Sequence, residues 1–324
     1  MENNLNKLAK KIARQNHFKL GRKIYQAYSP ILNGFRNVIY SGAYAGKEAV
    51  LKVYDDYRIN DEPLSLKYYN SINKNKILIA PKLFKFGLLS AKSGWLIMEK
   101  LPQHAFSFKS PLNQSDRKKF LELFLIYRHT LPLKTERRLN LVEDLSSAWF
   151  HIYRLNKWLH LANDKEAMQG YQVLKPSEII PRFLKTMRLM EKFFSGQPMI
   201  FCHGHFKPKE IAKAGEKYYL TDFGHLKLYP LGYELAFIIW ADWLIPANWQ
   251  LSYNKWRKGV LNWIKDLKPI AQELKIKNFL PLIKASLIER IMGTILADVC
   301  YSDLPKREKI MRVNLLYKLF DELI

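Results

Sequence analysis

The residues best suited to chemistry are concentrated between positions 203 and 224, in the stretch HGHFKPKEIAKAGEKYYLTDFG. Asp222 and Glu210 supply carboxylate oxygens, which are the ligands that magnesium prefers. His205 is a residue type whose ordinary pKa of about 6.5 lets it accept a proton, and Lys207 could lie on a phosphate group. Holding a metal, binding a phosphate and moving a proton are together the requirements of phosphoryl transfer.

Three further features nearer the N-terminus could bind phosphate. Lys52 lies in the apolar run AVLKVY, which predicts a strand that directs its ammonium towards phosphate oxygens. Glu62 opens a helical pattern and is the natural ion-pair partner of Lys52. In the turn LNGFRNVIY, Gly34 permits close approach of the backbone to phosphate and Asn33 suits a tight turn. Each signal alone also fits a plain structural role, such as a solvent-reaching strand lysine or an acidic residue in a first helical turn.

The elements that must position these residues change in type along the chain. From about Tyr28 to Pro102, short apolar runs separated by glycines predict the order strand, strand, strand, helix, strand, strand. Beyond this point the apolar residues recur at helical spacing, first in a helix with Ser115 as its N-cap. Further helices are predicted at roughly 139–162, 176–195, 232–244, 253–266, 278–300 and 306–322.

This change of pattern predicts an α+β fold with two parts. Residues 1–101 are expected to form an N-lobe with an antiparallel sheet that binds nucleotide. Residues 102–324 are expected to form a mainly helical C-lobe that carries the catalytic and metal loops and binds the acceptor. Ligands commonly bind in a cleft between two such parts.

The order of the motifs resembles the protein-kinase-like superfamily, and within it the aminoglycoside phosphotransferase and choline kinase family. The stretch HGHFKPKE is similar to the H-G-D-x-x-x-x-N motif of that family and to the H-R-D-L-K-P-x-N motif of protein kinases, and a DFG follows in both. YPLGYELA resembles the family segment D-P-x-x-D-L-A, with Glu234 as the acidic residue that braces the catalytic loop. The resemblance runs from about Gly34 to Trp240 and implies a bilobal kinase-like fold with ATP and Mg²⁺ as cofactors.

The same resemblance implies roles for single residues. GWLIMEKLP looks like the hinge strand, in which the backbone of Glu99 and Leu101 would bind an adenine edge while Met98 lines the pocket. The remaining implied roles are phosphate binding by Lys52 and Glu62, metal binding by Asp222 and Glu210, and catalysis by His205, Lys207 and Asp222.

Two positions depart from the family pattern. His205 stands where the family has the aspartate that orients the acceptor hydroxyl, and Glu210 stands where it has a metal-binding asparagine. Histidine is a competent base, and such a group typically contributes about 10²–10⁴-fold to the rate. The sequence therefore favours a phosphotransferase acting on a hydroxyl of a small molecule, with a nucleotide-binding pseudokinase of regulatory or scaffolding role as the alternative. His225 could also reach the site, although a surface histidine is the simpler interpretation.

Composition restricts the class of protein. The 324 residues are 48% hydrophobic and 25% charged, which is typical of a folded globular protein. The two cysteines, Cys202 and Cys300, lack the spacing of a zinc site or a disulfide framework. Neither a secretory signal nor an apolar run long enough to cross a bilayer is found, so we predict a cytoplasmic location.

The net charge of +24 biases association without naming a partner. Leu5, Leu8 and Ile12 recur at helical spacing among basic residues, which predicts a basic amphipathic helix packed on the following lobe. Besides nucleotide and an unidentified small-molecule acceptor, we predict weak association with an anionic membrane surface. No specific nucleic-acid partner is predicted, and a basic module for nucleic acid or lipid is a hypothesis that depends on charge alone.

Overall fold

The computed structural model describes residues 4–29, 34–132, 146–244 and 252–324, which divide into two compact units. The first unit takes its described residues from 1–108, 126–141 and 209–227, and the second from 109–125, 142–208 and 228–324. Strands dominate the first unit and helices the second, so the predicted α+β class is confirmed. The boundary after residue 101 stays a prediction.

Eleven strands and nine α-helices occur in the described residues. The strands are β1 (Lys19–Ser29), β2 (Gly34–Tyr44), β3 (Lys47–Asp55), β4 (Leu78–Ile79), β5 (Leu83–Leu88), β6 (Ser93–Glu99), β7 (Phe106–Ser107), β8 (Met199–Cys202), β9 (Ile211–Ala214), β10 (Lys217–Leu220) and β11 (Lys227–Pro230). The helices are α1 (Asn4–Gln15), α2 (Glu62–Ile72), α3 (Gln114–Thr130), α4 (Ser147–Gln169), α5 (Pro176–Phe194), α6 (Tyr233–Ile239), α7 (Tyr253–Glu273), α8 (Phe279–Gly293) and α9 (Lys306–Leu323).

The first unit is built on a five-stranded antiparallel sheet in the order β1-β2-β3-β6-β5. β3 lies at its centre and buries six consecutive residues, which explains its nearly continuous apolar run. β1 begins at Lys19, well before the predicted start near Tyr28. The prediction failed because this edge strand leaves the adjacent Ile24 and Tyr25 both exposed, so its sequence lacks the alternation of a half-buried strand.

Helix α1 covers one face of this sheet. Leu5, Ala9 and Ile12 are buried in a cluster with sheet residues that include Val38 and Leu51. The lysines and the arginine of the helix lie on its opposite, exposed side. The predicted basic amphipathic helix packed on its own lobe is therefore confirmed.

A second, smaller sheet in the first unit has the order β4-β10-β9-β7. β9 and β10 form an antiparallel hairpin whose turn contains Gly215 at a φ of +61°. β4, which follows α2 in the chain, pairs in parallel with β10. The small sheet therefore links the region after α2 to the strand that leads to Asp222.

In the second unit, α8 packs against α4, α5, α6 and α7, and β8 pairs with β11.

The observed helices follow most of the predicted ones, with three corrections. α3 begins at Gln114, where Asn113 Oδ1 rather than Ser115 accepts the backbone N–H of Asp116. α4 begins at Ser147, and the predicted helical residues 139–145 lie outside the described residues. α7 continues to Glu273 rather than ending at 266, although it contains Pro269.

Two of the helical segments end in π-helical turns. The first is Trp240–Leu244, directly after α6, and the second is Thr294–Cys300, directly after α8. Trp240 Nε1 donates to Thr294 Oγ1 at 2.9 Å, which joins the two turns. The sequence pattern predicted continuous helices here, because the periods of π and α turns differ too little to be read over five to seven residues.

The core of the second unit contains a buried ion cluster. Glu289 Oε1 lies 3.3 Å from His151 Nδ1 and 3.4 Å from a guanidinium nitrogen of Arg154, and Arg290 is also close. The pKa of Glu289 falls to about 2, because Arg154 and Arg290 outweigh the opposing effect of burial. Burial lowers the pKa of His151, which disfavours the positively charged imidazole. The charge of Glu289 is therefore balanced mainly by Arg154 and Arg290.

None of the helices in the described ranges combines the length and apolar character needed to cross a membrane.

Candidate active site

The first unit brings Lys52 and Glu62 into direct contact. Lys52 Nζ lies 2.5 Å from Glu62 Oε2, and both side chains are buried. Lys52 stands on β3 between β2 and β6, and Glu62 is the first residue of α2, where Pro63 suits the first helical turn. The strand lysine and the helix-opening glutamate therefore meet because the sheet and α2 belong to one compact unit.

Asp222 lies at the start of a tightly held turn in the same unit. Its backbone has φ +61° and ψ +51°, and the next three residues, Phe223–His225, form a 3₁₀ turn. The Phe223 ring packs 5.0 Å from Tyr69 of α2. Gly224 lies close to Ile59, and a Cβ added to Gly224 would stand 2.8 Å from the Ile59 side chain. These contacts fix the backbone that carries Asp222 against α2 and the residues before it.

Glu210 is held by Thr221, the residue just before Asp222. The backbone N–H of Thr221 donates to the Glu210 carbonyl at 3.0 Å, and Thr221 Oγ1 donates to Glu210 Oε2 at 3.0 Å. This orients one of the two predicted metal ligands. The sequence reasoning missed Thr221, whose only signal is a hydroxyl directly before the predicted metal-binding aspartate.

The electrostatics of this group are dominated by negative charge. Burial alone would lower the pKa of Lys52, but Glu62, Asp222 and Glu210 outweigh it, so the pKa of Lys52 is raised. Burial raises the pKa of Glu62, and the charges of Asp222 and Glu210 raise it further. Lys52 acts in the opposite direction, but the pKa of Glu62 stays above its ordinary value. The charges of Glu62, Asp222 and Glu210 therefore all act on the buried ammonium of Lys52.

This donor set suits a magnesium ion. Hard divalent cations bind carboxylate oxygens and need charge to compensate their own. Asp222 and Glu210 both lie in the first unit, and their charges act on the same buried pair of Lys52 and Glu62. Asp222 and Glu210 are the residues that could hold the magnesium ion, while Lys52 and Glu62 pair with each other.

The catalytic loop predicted from the sequence lies in the second unit. Gly204 has a φ of +73°, and a Cβ there would stand 2.5 Å from the Tyr229 ring, so only glycine fits without strain. His205 is half-buried and stacks on Phe237 with ring centroids 5.2 Å apart. Phe206 is buried against Phe120 and anchors the loop.

Other residues of the motif have distinct environments. Lys207 is half-buried, whereas His203 and Pro208 are buried. Glu234, expected to brace the loop, is a buried residue in the first turn of α6. Buried and half-buried positions alternate from Gly204 to Pro208, which leaves His205 and Lys207 partly accessible.

The residues expected to hold adenine occupy the end of β6. Met98 and Glu99 are half-buried, and Leu101 packs beside the small sheet of the first unit. The Glu99 N–H already donates to the Lys82 carbonyl at 2.8 Å, which leaves an adenine edge to the other backbone groups of Glu99 and Leu101. The contact of an adenine edge with these backbone groups stays a prediction.

The phosphate turn is only partly described. Gly34 is the first residue of β2 and pairs with Ser29 of β1. Asn33 lies outside the described residues. The structure thus brings together Lys52, Glu62, Asp222 and Glu210 in the first unit, and His205 and Lys207 on one loop of the second.

Comparison with solved structures shows where the fold occurs elsewhere. A thermostable mutant of the aminoglycoside phosphotransferase APH(4)-Ia, in a ternary complex with ADP and hygromycin B, is 12% identical, with 96% of this chain and 98% of that chain covered and a TM-score of 0.57. Choline kinase from Cryptosporidium parvum is 12% identical over 98% of this chain and 96% of that chain, with a TM-score of 0.57. Plasmodium vivax ethanolamine kinase is 14% identical over 95% and 82%, with a TM-score of 0.55.

No family model and no curated protein sequence matches the chain. The likeness to solved structures therefore shows the fold alone. The chain has the fold of small-molecule phosphotransferases, and the predicted protein-kinase-like fold of the aminoglycoside phosphotransferase and choline kinase type is confirmed.

Proposed function

We propose that this chain is an ATP- and Mg²⁺-dependent phosphotransferase that acts on a hydroxyl of a small molecule. The observation that carries the proposal is the buried contact of Lys52 with Glu62, in the same unit as Asp222 and Glu210, whose charges act on that pair. Taking an ion pair out of water is costly and contributes little to stability by itself, so a role in binding accounts for this pair better than a purely structural one. This arrangement is well suited to a triphosphate and its metal, and the fold occurs in phosphotransferases crystallised with ADP or AMP-PNP.

In this proposal the residues of the first unit hold the nucleotide. Lys52, oriented by Glu62, binds phosphate oxygens, while Asn33 and Gly34 form the turn that covers them. Met98 lines the adenine pocket, and the backbone of Glu99 and Leu101 binds the adenine edge. Asp222 and Glu210 hold Mg²⁺, which when bound neutralises charge on the phosphates.

The residues of the catalytic loop act on the acceptor. His205 orients the acceptor hydroxyl and accepts its proton, and Lys207 stabilises the charge on the transferred phosphoryl group. Most of the catalysis of phosphoryl transfer comes from positioning and charge neutralisation, so a histidine in place of the family's aspartate is compatible with turnover. The base itself contributes about 10²–10⁴-fold.

The acceptor stays unassigned beyond its hydroxyl. The similar structures include an aminoglycoside phosphotransferase bound to hygromycin B, a choline kinase and an ethanolamine kinase, so one fold serves several acceptors. We propose a small-molecule acceptor and a cytoplasmic location, together with weak attraction to anionic membrane surfaces through the basic residues.

The pseudokinase alternative has one observation in its favour. The imidazole of His205 stacks nearly parallel to Phe237, at an interplanar angle of 15°, as a side chain with a packing role would. In that case the nucleotide-bound form would present a surface to a regulatory partner, and chemistry would be absent.

Two measurements separate these functions. Mg²⁺–ATP should raise the melting temperature of the protein, and ADP should form when a panel of hydroxyl-bearing amino alcohols, sugars and aminoglycosides is supplied. Asp222→Asn should abolish both effects, whereas Asp116→Asn, in the first turn of α3, should leave them unchanged. Stabilisation without turnover across the panel would select the pseudokinase, and absence of both would contradict nucleotide binding.

A further inference from the structure

The residue after the DFG sequence gives the metal site of this chain a nitrogen donor. A carboxylate oxygen of Asp222 and a ring nitrogen of His225 lie within 4.8 Å of each other, both inside the first unit. Both side chains are half-buried, so they are accessible to a small ion. A bond from each ligand to a metal is about 2.0–2.2 Å long, so two donors that share an ion lie at most about 4.4 Å apart.

The backbone between the two residues is held in place on both sides. Phe223 and Leu226 are buried, and the Leu226 N–H donates to the Phe223 carbonyl at 3.2 Å. Gly224 has no room for a side chain against Ile59. Asp222 and His225 therefore project from one rigid turn, which limits the entropy lost when an ion binds.

The local charge attracts a cation to this turn. Asp222 and Glu210 both act electrostatically on Lys52 and Glu62, so two carboxyl groups contribute negative charge to this part of the first unit. The His225 imidazole adds a nitrogen donor beside them.

We propose that Asp222 and His225 form a mixed oxygen and nitrogen site that prefers a divalent first-row transition cation, from Mn²⁺ to Zn²⁺, over Mg²⁺. Magnesium is a hard cation that binds oxygen almost exclusively, whereas imidazole is a good ligand for transition metals. The inference rests on the proposed function, because it names the metal of that same site. It changes the expected cofactor from Mg²⁺ alone to Mn²⁺ or a later metal of the series.

The test uses the full-length, metal-depleted protein with the non-hydrolysable β,γ-methylene analogue of ATP. With Mn²⁺ as the probe, pulsed electron paramagnetic resonance should show the modulation of a directly bound imidazole nitrogen. His225→Ala should remove that modulation and weaken Co²⁺ binding by more than the about 10- to 100-fold that loss of an outer-shell partner costs. Its affinity for Mg²⁺ should stay unchanged, and its melting temperature is measured as a check on folding.

Two controls make the result specific. His104→Ala removes an exposed histidine elsewhere in the first unit and should leave the nitrogen signal and Co²⁺ affinity intact. His225→Gln keeps a polar side chain of similar reach and should lose the nitrogen signal as His225→Ala does. The wild-type spectrum is informative by itself, so failure of a variant to fold does not prevent the test.

The outcomes also distinguish this inference from the proposed function. A wild-type Mn²⁺ spectrum without nitrogen modulation, or modulation that persists in His225→Ala, overturns the inference. If Asp222→Asn loses nucleotide-dependent Co²⁺ binding while His225→Ala binds Co²⁺ as tightly as the wild type, the inference fails and the proposed function stands. If Asp222→Asn retains that binding, the metal assignment of the proposed function fails as well.

Discussion

At the scale of single residues, the stability of the fold should be sensitive to substitution of the buried pair Lys52 and Glu62. Lys52→Met leaves Glu62 buried without its cation, and removal of one partner from a buried ion pair typically costs about 3–5 kcal/mol. We expect a loss of unfolding free energy of this order at neutral pH, together with loss of nucleotide binding. Urea denaturation monitored by circular dichroism measures the first effect.

The pH dependence of that variant follows from the sign of the Glu62 shift. Burial raises the pKa of Glu62 in the folded state, so the ionised carboxyl destabilises the variant at neutral pH. The destabilisation should shrink as the pH falls and Glu62 takes up a proton in the folded protein. The double variant Lys52→Met/Glu62→Gln should recover most of the lost stability, and a double variant as unstable as the single one would contradict this account.

Gly204 offers a second residue-level prediction. Gly204→Ala would place a Cβ at a positive φ and 2.5 Å from the Tyr229 ring, so we expect destabilisation of about 3 kcal/mol and lower turnover through displacement of His205. Gly215→Ala is the matched control, because it also has a positive φ but open space around it. It should cost only about 1 kcal/mol. Equal melting temperatures for the two variants would show that the clash with Tyr229 does not add to the destabilisation of Gly204→Ala.

Several residues of the site could be predicted from the sequence because their order along the chain is itself informative. Lys52, Glu62 and Asp222 each have common structural interpretations, and only their succession favours phosphoryl transfer. Thr221 could not be predicted, because its role depends on a hydrogen bond across the turn to Glu210. The hydrogen bond from the Glu99 N–H to the Lys82 carbonyl could not be predicted either, because it depends on which backbone groups face each other across the strands.

At the scale of elements, α8 is expected to depend on its buried carboxylate. Glu289→Gln removes the buried carboxylate that Arg154 and Arg290 share, and we expect a loss of about 3–5 kcal/mol in unfolding free energy. Glu122→Gln removes a partly exposed pair with Lys119 in α3 and should cost less than about 1 kcal/mol. Chemical denaturation of both variants at one pH checks the difference.

Acid denaturation tests the same cluster. The pKa of Glu289 is about 2 in the folded protein, below its ordinary value of 4.5, so its ionisation contributes stability above pH 4.5. That contribution should be lost as the pH falls from 4.5 towards 2. In Glu289→Gln this part of the acid dependence should be absent, and an unchanged slope in that range would assign the transition to other carboxyl groups.

Elements differed in how well the sequence predicted them. α5 and α9 follow long periodic patterns and have nearly the predicted bounds. β1 was missed at its start because an exposed edge strand has no buried face to impose alternation. The end of α7 was placed too early, since the burial of Ile270 and Ala271 offsets the disfavoured Pro269.

At the scale of the whole molecule, the net charge of +24 predicts weak binding to vesicles that contain anionic lipid. Because lysines are spread over the surface, charge reversal at Lys7, Lys11 and Arg14 on α1 should weaken binding no more than reversal at Lys74, Lys76 and Lys85. Co-sedimentation at rising salt measures both, and binding should fall steeply with ionic strength. A much larger effect of the α1 residues would identify that helix as a dedicated membrane contact.

The parallel pairing of β4 with β10 connects the two parts of the proposed nucleotide site in the first unit. Asn73 and Asn75 lock the short link after α2, and the Tyr218 N–H donates to the Ile77 carbonyl at 2.7 Å. A displacement of α2 would therefore pull on the strand that ends just before Thr221 and Asp222. The Lys52–Glu62 pair and the turn that begins at Asp222 are thus connected through β4 and β10. We therefore expect a nucleotide that contacts only Lys52 to slow amide hydrogen exchange at Tyr218 as well.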